Sequence, residues 1–469
     1  MTSRPSAPGS AAFRSARELA LGVLERVERE QAYSNLLLNR YLEQARFGRQ
    51  DAALATELVY GTIQRRNTID HILDRLVAKG ISSLEPWVKN LLRLSVYQLR
   101  YLDRIPAHAA VHEAVDIAKR RGHRGIAGMV NGVLRAYLRE PDRLTLPADA
   151  DDAARIALEH SHPEWLVRRW IDRFGPETAE AMCAANNVPP HVSIRANTLR
   201  TSRDRLLAEL AERGIQAKPS PLSQAGIIVE NAGNMAHDPG YAQGLFSIQD
   251  ESSMLVAEVV RPEPGMNVLD CCAAPGGKSA HMAELMNDRG TIWANDIHAH
   301  KERLVRSQIE RLGLASVRTL TEDALRFKDR FRPQSFDRIL LDAPCSGLGV
   351  IRRKPDLKWT KTERQIEDIA RMQLSLLKAV ADLLKPGGVL VYSTCTVEYT
   401  ENERVVQAFL AEREDFAADE RLADCVPSVV RDRIHRPGML HILPHWFHSD
   451  GFFIARMERR FIREERTGP

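Results

Sequence analysis

Two cysteines each follow a short apolar run that reads as a β-strand. Arg338-Ile-Leu-Leu-Asp342 leads into Ala343-Pro344-Cys345-Ser346-Gly347, and Val389-Leu-Val-Tyr392 leads into Ser393-Thr394-Cys395-Thr396. A single cysteine is most simply a small buried hydrophobe. Two thiols at adjoining strand ends, each beside turn-forming residues, favour a chemical role instead. The other four, Cys183, Cys271, Cys272 and Cys425, are scattered through 469 residues without zinc-ribbon spacing or a disulfide framework. The thiols are therefore expected to be reduced, and no metal is expected.

A third strand end reads Val268-Leu-Asp270-Cys-Cys-Ala-Ala-Pro275-Gly276-Gly277-Lys278-Ser279. Paired glycines allow close backbone approach, and a helix opening near Lys278 presents free amides, so the loop suits an anionic group. A plain strand-to-helix turn is the alternative. The Walker A pattern fails because its first Gly would fall at Cys272, and the dinucleotide fingerprint Gly-x-Gly-x-x-Gly is absent. Asp296, closing the strand-like Thr291-Ile-Trp-Ala294, stands about twenty residues past the glycines, where α/β proteins hold ribose hydroxyls. Asp323 supplies a carboxylate at another strand end, near an adenine amine or as a helix N-cap.

These ends require an α/β layer to position them. From Gly265 onward, short apolar runs at 267–270, 291–294, 336–341 and 388–392 alternate with amphipathic helices, the rhythm of a parallel, Rossmann-like sheet whose ligands sit at the carboxyl ends of the strands. Before it, apolar residues at three- and four-residue steps, as in Leu19, Val23, Leu24 and Val27, predict an all-α bundle over residues 1–143. The acidic stretch Leu144-Thr-Leu-Pro-Ala-Asp-Ala-Asp-Asp152 reads as a linker over 144–160. Residues 161–240 form an α+β connector, with helices at 163–174, 177–186 and 202–213 and strands at 192–195 and 227–230, and 241–460 form the catalytic domain. The net charge of +4 conceals an asymmetry: residues 1–143 hold 23 Lys+Arg against 15 Asp+Glu. A basic third suggests contact with a polyanion. No apolar run approaches the roughly 20 residues that cross a bilayer, and the first residues lack a secretion signal, so a cytoplasmic protein without membrane contact is expected. Monomer is the expected state, because the predicted domains use most of the apolar pattern.

Taken together, Asp342-Ala-Pro-Cys345, Ser393-Thr-Cys395 and Asp270-Cys-Cys-Ala-Ala-Pro-Gly-Gly-Lys278 resemble the motifs of RNA 5-methylcytosine methyltransferases. The run from Cys345 through Arg352-Arg353-Lys354-Pro355-Asp356-Leu357-Lys358-Trp359 resembles the bacterial RsmB (Sun/Fmu) family acting on small-subunit (16S) ribosomal RNA, and the helical third, with Ala32-Tyr-Ser-Asn-Leu-Leu-Leu38 and Leu58-Val-Tyr-Gly-Thr62, is similar to its NusB-like RNA-binding domain. The resemblance implies a class I methyltransferase domain that binds S-adenosyl-L-methionine through Cys272, Ala273, Ala274, Pro275, Gly276, Gly277 and Lys278, with Asp296, Asp323 and Asp342. It implies Cys395 as the nucleophile that adds to cytosine C6, Cys345 as the residue of product release, and Asp342 on the base's amidine edge. Lys278 is a positive group that would favour a thiolate. A noncatalytic RNA-binding factor on the same fold is the competing class, and the intact thiols weigh against it.

For the RNA, Lys119, Arg120, Arg121 and Arg124 form the densest basic cluster, while Arg352, Arg353, Lys354 and Lys358 follow the Pro-Cys motif and Arg195 lies in a segment that resembles a family region contacting RNA. Phosphate contacts supply affinity without reading sequence. Trp359 is read as a base-stacking surface or as packing. The target cytosine must be unpaired or flipped to meet a thiol in a pocket.

Overall fold

The structure is a computed structural model that describes residues 13–30, 32–140, 150–230 and 233–461. The chain forms two compact units, residues 1–188 with 351–360, and residues 189–350 with 361–469.

The first unit is all-helical. Seven helices, Ala16–Glu30, Ser34–Ala45, Arg49–Gln64, Arg66–Leu76, Pro86–Tyr101, Ala107–Arg121 and Arg124–Arg139, bury one apolar core that includes Leu19, Leu58, Leu91 and Leu134. The breaks fall at Gly48, at Gly80, before Ala107 and after Arg121, where glycine, proline or a polar cap interrupts the 3.6-residue pattern. Packing is close enough that a Cβ on Gly61 would stand 1.9 Å from the Tyr97 ring. Within this core Arg93 donates to both oxygens of Asp70 at 2.6 Å.

Three expectations change here. The expected linker holds a helix, Asp152–Glu159: the Asp151 side chain accepts from Ala154 N–H, and Ala153, Ile156 and Ala157 are buried on one face. Two acidic residues that read as unstructured chain are a cap and a first-turn charge; residues 141–149 lie outside the described residues. The helices Glu164–Phe174 and Pro176–Asn186, expected in the connector, pack with this helical unit. So does the decapeptide 351–360, which lies in sequence between two elements of the second unit. It is fastened by its side chains: Lys358 Nζ donates to the Gln64 carbonyl at 3.0 Å, Trp359 Nε1 to the Ile63 carbonyl at 2.8 Å, and Ser34 Oγ to Asp356 at 2.5 Å. The Arg66 guanidinium stacks over Trp359, 5.4 Å from its centroid.

The second unit carries two sheets. Strands β1 (Val192–Ala196), β2 (Ala217–Pro219), β3 (Gly226–Val229) and β4 (Phe246–Ile248) form a small antiparallel sheet in the order β2-β3-β1-β4, on which the helix Arg203–Glu212 buries Leu206 and Leu210. The larger sheet contains β5 (Asn267–Asp270), β6 (Thr291–Asn295), β7 (Val317–Leu320), β8 (Phe336–Asp342), β9 (Leu384–Thr394), β10 (Phe416–Ala418), β11 (Ile434–Arg436), β12 (Met439–Ile442) and β13 (Phe452–Arg459), ordered β11-β12-β13-β9-β8-β5-β6-β7, with β10 beside β13. Strands β5 to β9 are parallel, as expected. The last four are antiparallel additions, so the sheet is mixed. Both faces are covered: Val268, Leu340, Val391 and Ile454 face one apolar layer, and Leu269, Leu341, Tyr392 and Phe453 the other. Chain order reverses between β5 and β8, which opens a crevice beyond their carboxyl ends.

Gly61→Ala should lower stability by about 1–3 kcal/mol, read as a lower midpoint in a thermal melt. Gly128→Ala, in a helix with nothing within 4 Å of the new Cβ, should leave the midpoint unchanged or raise it.

Candidate active site

Asp342 ends β8 directly opposite Ser393 near the end of β9, and the ladder extends one step further through Ala343 N–H to the Ser393 carbonyl at 2.8 Å. Two parallel strands in this register carry Cys345 and Cys395 out of the sheet side by side, with their Sγ atoms 3.4 Å apart. Both are free thiols and partly exposed. The loop after Cys345 stays close to that of Cys395: Gly349 N–H donates to the Cys395 carbonyl at 2.9 Å, and a Cβ at Gly349 would meet the Gly451 carbonyl at 2.1 Å. Glycine is needed there because two backbones nearly touch.

Lys278, at the start of the helix Gly277–Leu285, donates to Asp342 Oδ2 at 2.8 Å, and Ser393 Oγ donates to Asp342 Oδ1 at 2.7 Å. Burial acts to depress Lys278, but attraction to Asp342, Cys395 and Asp270 outweighs it and holds the ammonium above its ordinary range. Lys278 is therefore a fixed positive charge beside the thiols. Cys345 is pushed well above the usual thiol range, first by its hydrogen bond with Cys395, then by burial and by the charges of Cys395, Glu401 and Asp342.

The cofactor loop is anchored from below. Ser279 Oγ donates to Asp270 Oδ2 at 2.6 Å, and burial pushes Asp270 up to about 7. Gly276 adopts φ 106°, where its missing Cβ lets the loop pass the backbone of Val305. Asp296 accepts from His298 N–H and Asp323 from Leu325 N–H, both at 3.0 Å through Oδ1, which leaves the second oxygen of each for hydroxyl or amine donors. Asp323 thus serves as the N-cap and keeps a free acceptor. Carboxylates at three strand ends around a glycine turn fit the ribose, adenine and amino-acid groups of S-adenosylmethionine. Cys271 is buried, and Cys272 is partly exposed with a thiol that burial pushes up.

The sequence model of the 16S rRNA methyltransferase RsmB/F family matches residues 257–458, that of the NusB family residues 14–139, and that of an RsmF/B-like ferredoxin-like domain residues 162–236. A Bacillus subtilis protein named probable ribosomal RNA small subunit methyltransferase B is 46% identical over 446 residues, covering 95% of this chain and 99% of its own. The chain belongs to the RsmB/F family of 16S rRNA methyltransferases. Among solved structures, PH0851 superposes with a TM-score of 0.79 at 25% identity, covering 97% of this chain and all of its own. NSun6 from Pyrococcus horikoshii with SFG gives 0.56 at 26% identity, covering 63% and 98%. RsmB/F proteins methylate with S-adenosyl-L-methionine, and the anchored loop with its flanking carboxylates is where this member would hold it.

In this RsmB/F chain several expected RNA contacts are structural. Arg195 is fully buried: it donates to Glu284 at 2.8 and 3.0 Å, to the Gly277 carbonyl at 3.0 Å and to Gln249. Its charge thus fastens the helix behind the cofactor loop to β1, out of reach of any phosphate. Lys358 is fully buried in the helical unit, and burial depresses its ammonium well below the lysine range. Arg352 is buried and Arg353 half-buried, which leaves Lys354 as the exposed member of that run. Lys119, Arg120, Arg121 and Arg124 are exposed; Arg120 pairs with Glu18 at 2.6 Å and Arg121 with Glu25 at 2.9 Å. Among the described residues, Glu403, His435 and His441 gather potential ligand atoms within 4.8 Å, and hydrogen bonds of 2.9 and 2.7 Å from the histidines to Glu403 already join them.

Lys278→Met should slow alkylation of Cys395 at pH 7.5 by about tenfold, because one neighbouring charge changes thiol ionisation by about a pH unit or more. Peptide-resolved mass spectrometry after iodoacetamide labelling reads it. An unchanged rate would show that Lys278 does not activate the thiol.

Proposed function

We propose that this protein transfers a methyl group from S-adenosyl-L-methionine to C5 of a cytosine in small-subunit ribosomal RNA, through a covalent bond between Cys395 and cytosine C6. The observation that carries the reading is the pair of thiols 3.4 Å apart at the crevice, with Lys278 and Asp342 beside them. C5 of cytosine is a weak nucleophile. Addition of the Cys395 thiolate to C6 gives C5 the character of an enamine carbon, and so divides one difficult step into two. Bound S-adenosylmethionine supplies the electrophilic methyl on a sulfonium sulfur.

The chain's own groups account for the remaining steps. Asp342, held by Lys278 and Ser393, faces the crevice as an acceptor for the cytosine amine, and the Lys278 ammonium beside it offsets the negative charge that addition of the thiolate puts on the ring. While Cys395 is a thiolate, Cys345 stays protonated and donates to it. Once Cys395 becomes a thioether, its charge is gone and the main cause of the raised Cys345 value goes with it. Cys345 can then ionise and accept the C5 proton; that C–H electron pair forms the C5–C6 double bond, and the C6–S bond breaks to return the Cys395 thiolate. The exposed Lys119, Arg120, Arg121, Arg124 and Lys354 supply phosphate contacts, and an unpaired or flipped cytosine enters. The protein works on ribosomal RNA in the cytoplasm as a monomer. No helix among the described residues is long and apolar enough to cross a membrane.

Transfer of labelled methyl from S-adenosylmethionine to small-subunit RNA tests the reading. Cys395→Ala should abolish transfer, and Cys345→Ala should accumulate a protein–RNA adduct that survives a denaturing gel. Full activity of Cys395→Ala, or label on a base other than cytosine, would overturn it.

A further inference from the structure

We propose that Glu401 is a positioning residue for the reaction: its single buried carboxylate ties the Cys345 loop to the Cys395 loop and thereby sets the spacing of the two thiols. The inference rests on the reading above that both thiols act on one base. Nothing in the composition of the two cysteine motifs points to this residue, which lies six positions beyond Cys395 in the turn before the helix Glu403–Glu412.

The geometry is that of a clamp. From the first loop, the backbone N–H of Ser346, the residue after Cys345, donates to Glu401 Oε2 at 2.8 Å, and Ser346 Oγ donates to Oε1 at 2.5 Å. From the second loop, Thr396, the residue after Cys395, reaches Oε1 at 3.4 Å and meets Ser346 Oγ at 2.9 Å. The helix Glu363–Ala381 adds Gln373, whose Nε2 donates to the Pro344 carbonyl at 2.8 Å and to Glu401 Oε2 at 3.3 Å. Tyr392 Oη, from β9, fixes the Glu401 backbone by donating to its carbonyl at 2.5 Å. Glu401, Ser346, Thr396, Gln373 and Tyr392 are all buried, where hydrogen bonds to a charged acceptor are worth most.

An ionised carboxylate accepts from all of these donors at once, with charge-assisted hydrogen bonds on both oxygens. Protonation turns Oε1 from acceptor to donor toward Ser346 Oγ and replaces charge-assisted hydrogen bonds by weaker neutral ones, which slackens the tie between the loops. Burial pushes Glu401 up to about 7, with Glu398 adding to the rise while Ser346 and Gln373 oppose it. The other titratable groups facing it are Cys345, from the β8 loop, and Tyr392, both raised in part by the Glu401 charge. The clamp is therefore tightest above about pH 7 and weakens below it.

Glu401→Gln presents a neutral amide in place of the carboxylate and mimics the loosened state at every pH. At pH 8.5, kcat for methyl transfer to small-subunit RNA should fall by about a hundredfold, with KM for S-adenosylmethionine changed less than threefold, because the cofactor loop is held by other residues. The ratio of wild-type to variant kcat should shrink toward one as pH falls below about 6. A role confined to general folding would not produce that convergence. Ser346→Ala, which removes one arm and keeps the backbone donor, should lose about tenfold in kcat and lower the thermal midpoint by only a few degrees, and it serves as the test if Glu401→Gln does not fold. Wild-type kcat in either folded variant at pH 8.5, or a variant ratio independent of pH, would overturn the inference while leaving the methyltransferase reading intact. Absence of cytosine methylation by the wild-type protein would instead overturn the reading itself.

Discussion

The register between β8 and β9 is the constraint on which the site depends. Because Asp342 stands opposite Ser393 in a parallel ladder, a residue three positions past the first and one two positions past the second leave the sheet at the same edge, close enough for sulfur to meet sulfur. A slip of one residue would turn one of the side chains to the other face of the sheet. Burial of both faces specifies this register strongly, so the core of the catalytic unit doubles as the jig for its thiols. The β5 loop meets the same crevice since the order of strands reverses there, and Lys278 reaches Asp342 across it.

Electrostatics then distinguishes two chemically identical groups. Lys278 lies beside the pair as a positive charge, and the hydrogen bond with Cys395, together with burial, raises Cys345. In the proposed reaction the asymmetry is tied to the state of Cys395: a thiolate suppresses ionisation of its neighbour, and a thioether does not. One pair of side chains can in this way act in sequence without any movement of the backbone. The network that joins the two loops beneath the thiols makes this sequence possible by fixing a separation at which one sulfur senses the charge of the other.

Local sequence carried the parts of this arrangement that rest on strand ends and turns. Apolar runs followed by Pro-Cys, Thr-Cys or Gly-Gly-Lys point to the edge of a sheet, and the helices of the first third follow from their periodicity. What it could not carry was the fate of long basic side chains. Arg195, Lys358 and Arg352 read as phosphate contacts because arginine and lysine are usually solvated, yet Arg195 is neutralised by Glu284, a partner 89 residues away, and Lys358 is held by a carbonyl 294 residues away. Glu401 was missed for a related reason: its partners, Ser346 and Gln373, come from other elements, so its spacing relative to the cysteines signals nothing. The helix at Asp152–Glu159 was hidden by its own cap, since acidic residues mark both linkers and helix starts. The antiparallel strands after β9 likewise lack the alternation with helices that made the parallel half legible.

The central claim is that Cys395, and not Cys345, bonds to the base. RNA that carries 5-fluorocytidine at the target position arrests the reaction after methyl transfer, because C5 then bears fluorine in place of the proton that must leave. Digestion of the arrested complex and tandem mass spectrometry locate the attached nucleotide. The account predicts a methylated fluorocytidine on the peptide containing Cys395; the same mass on the peptide containing Cys345 would contradict it.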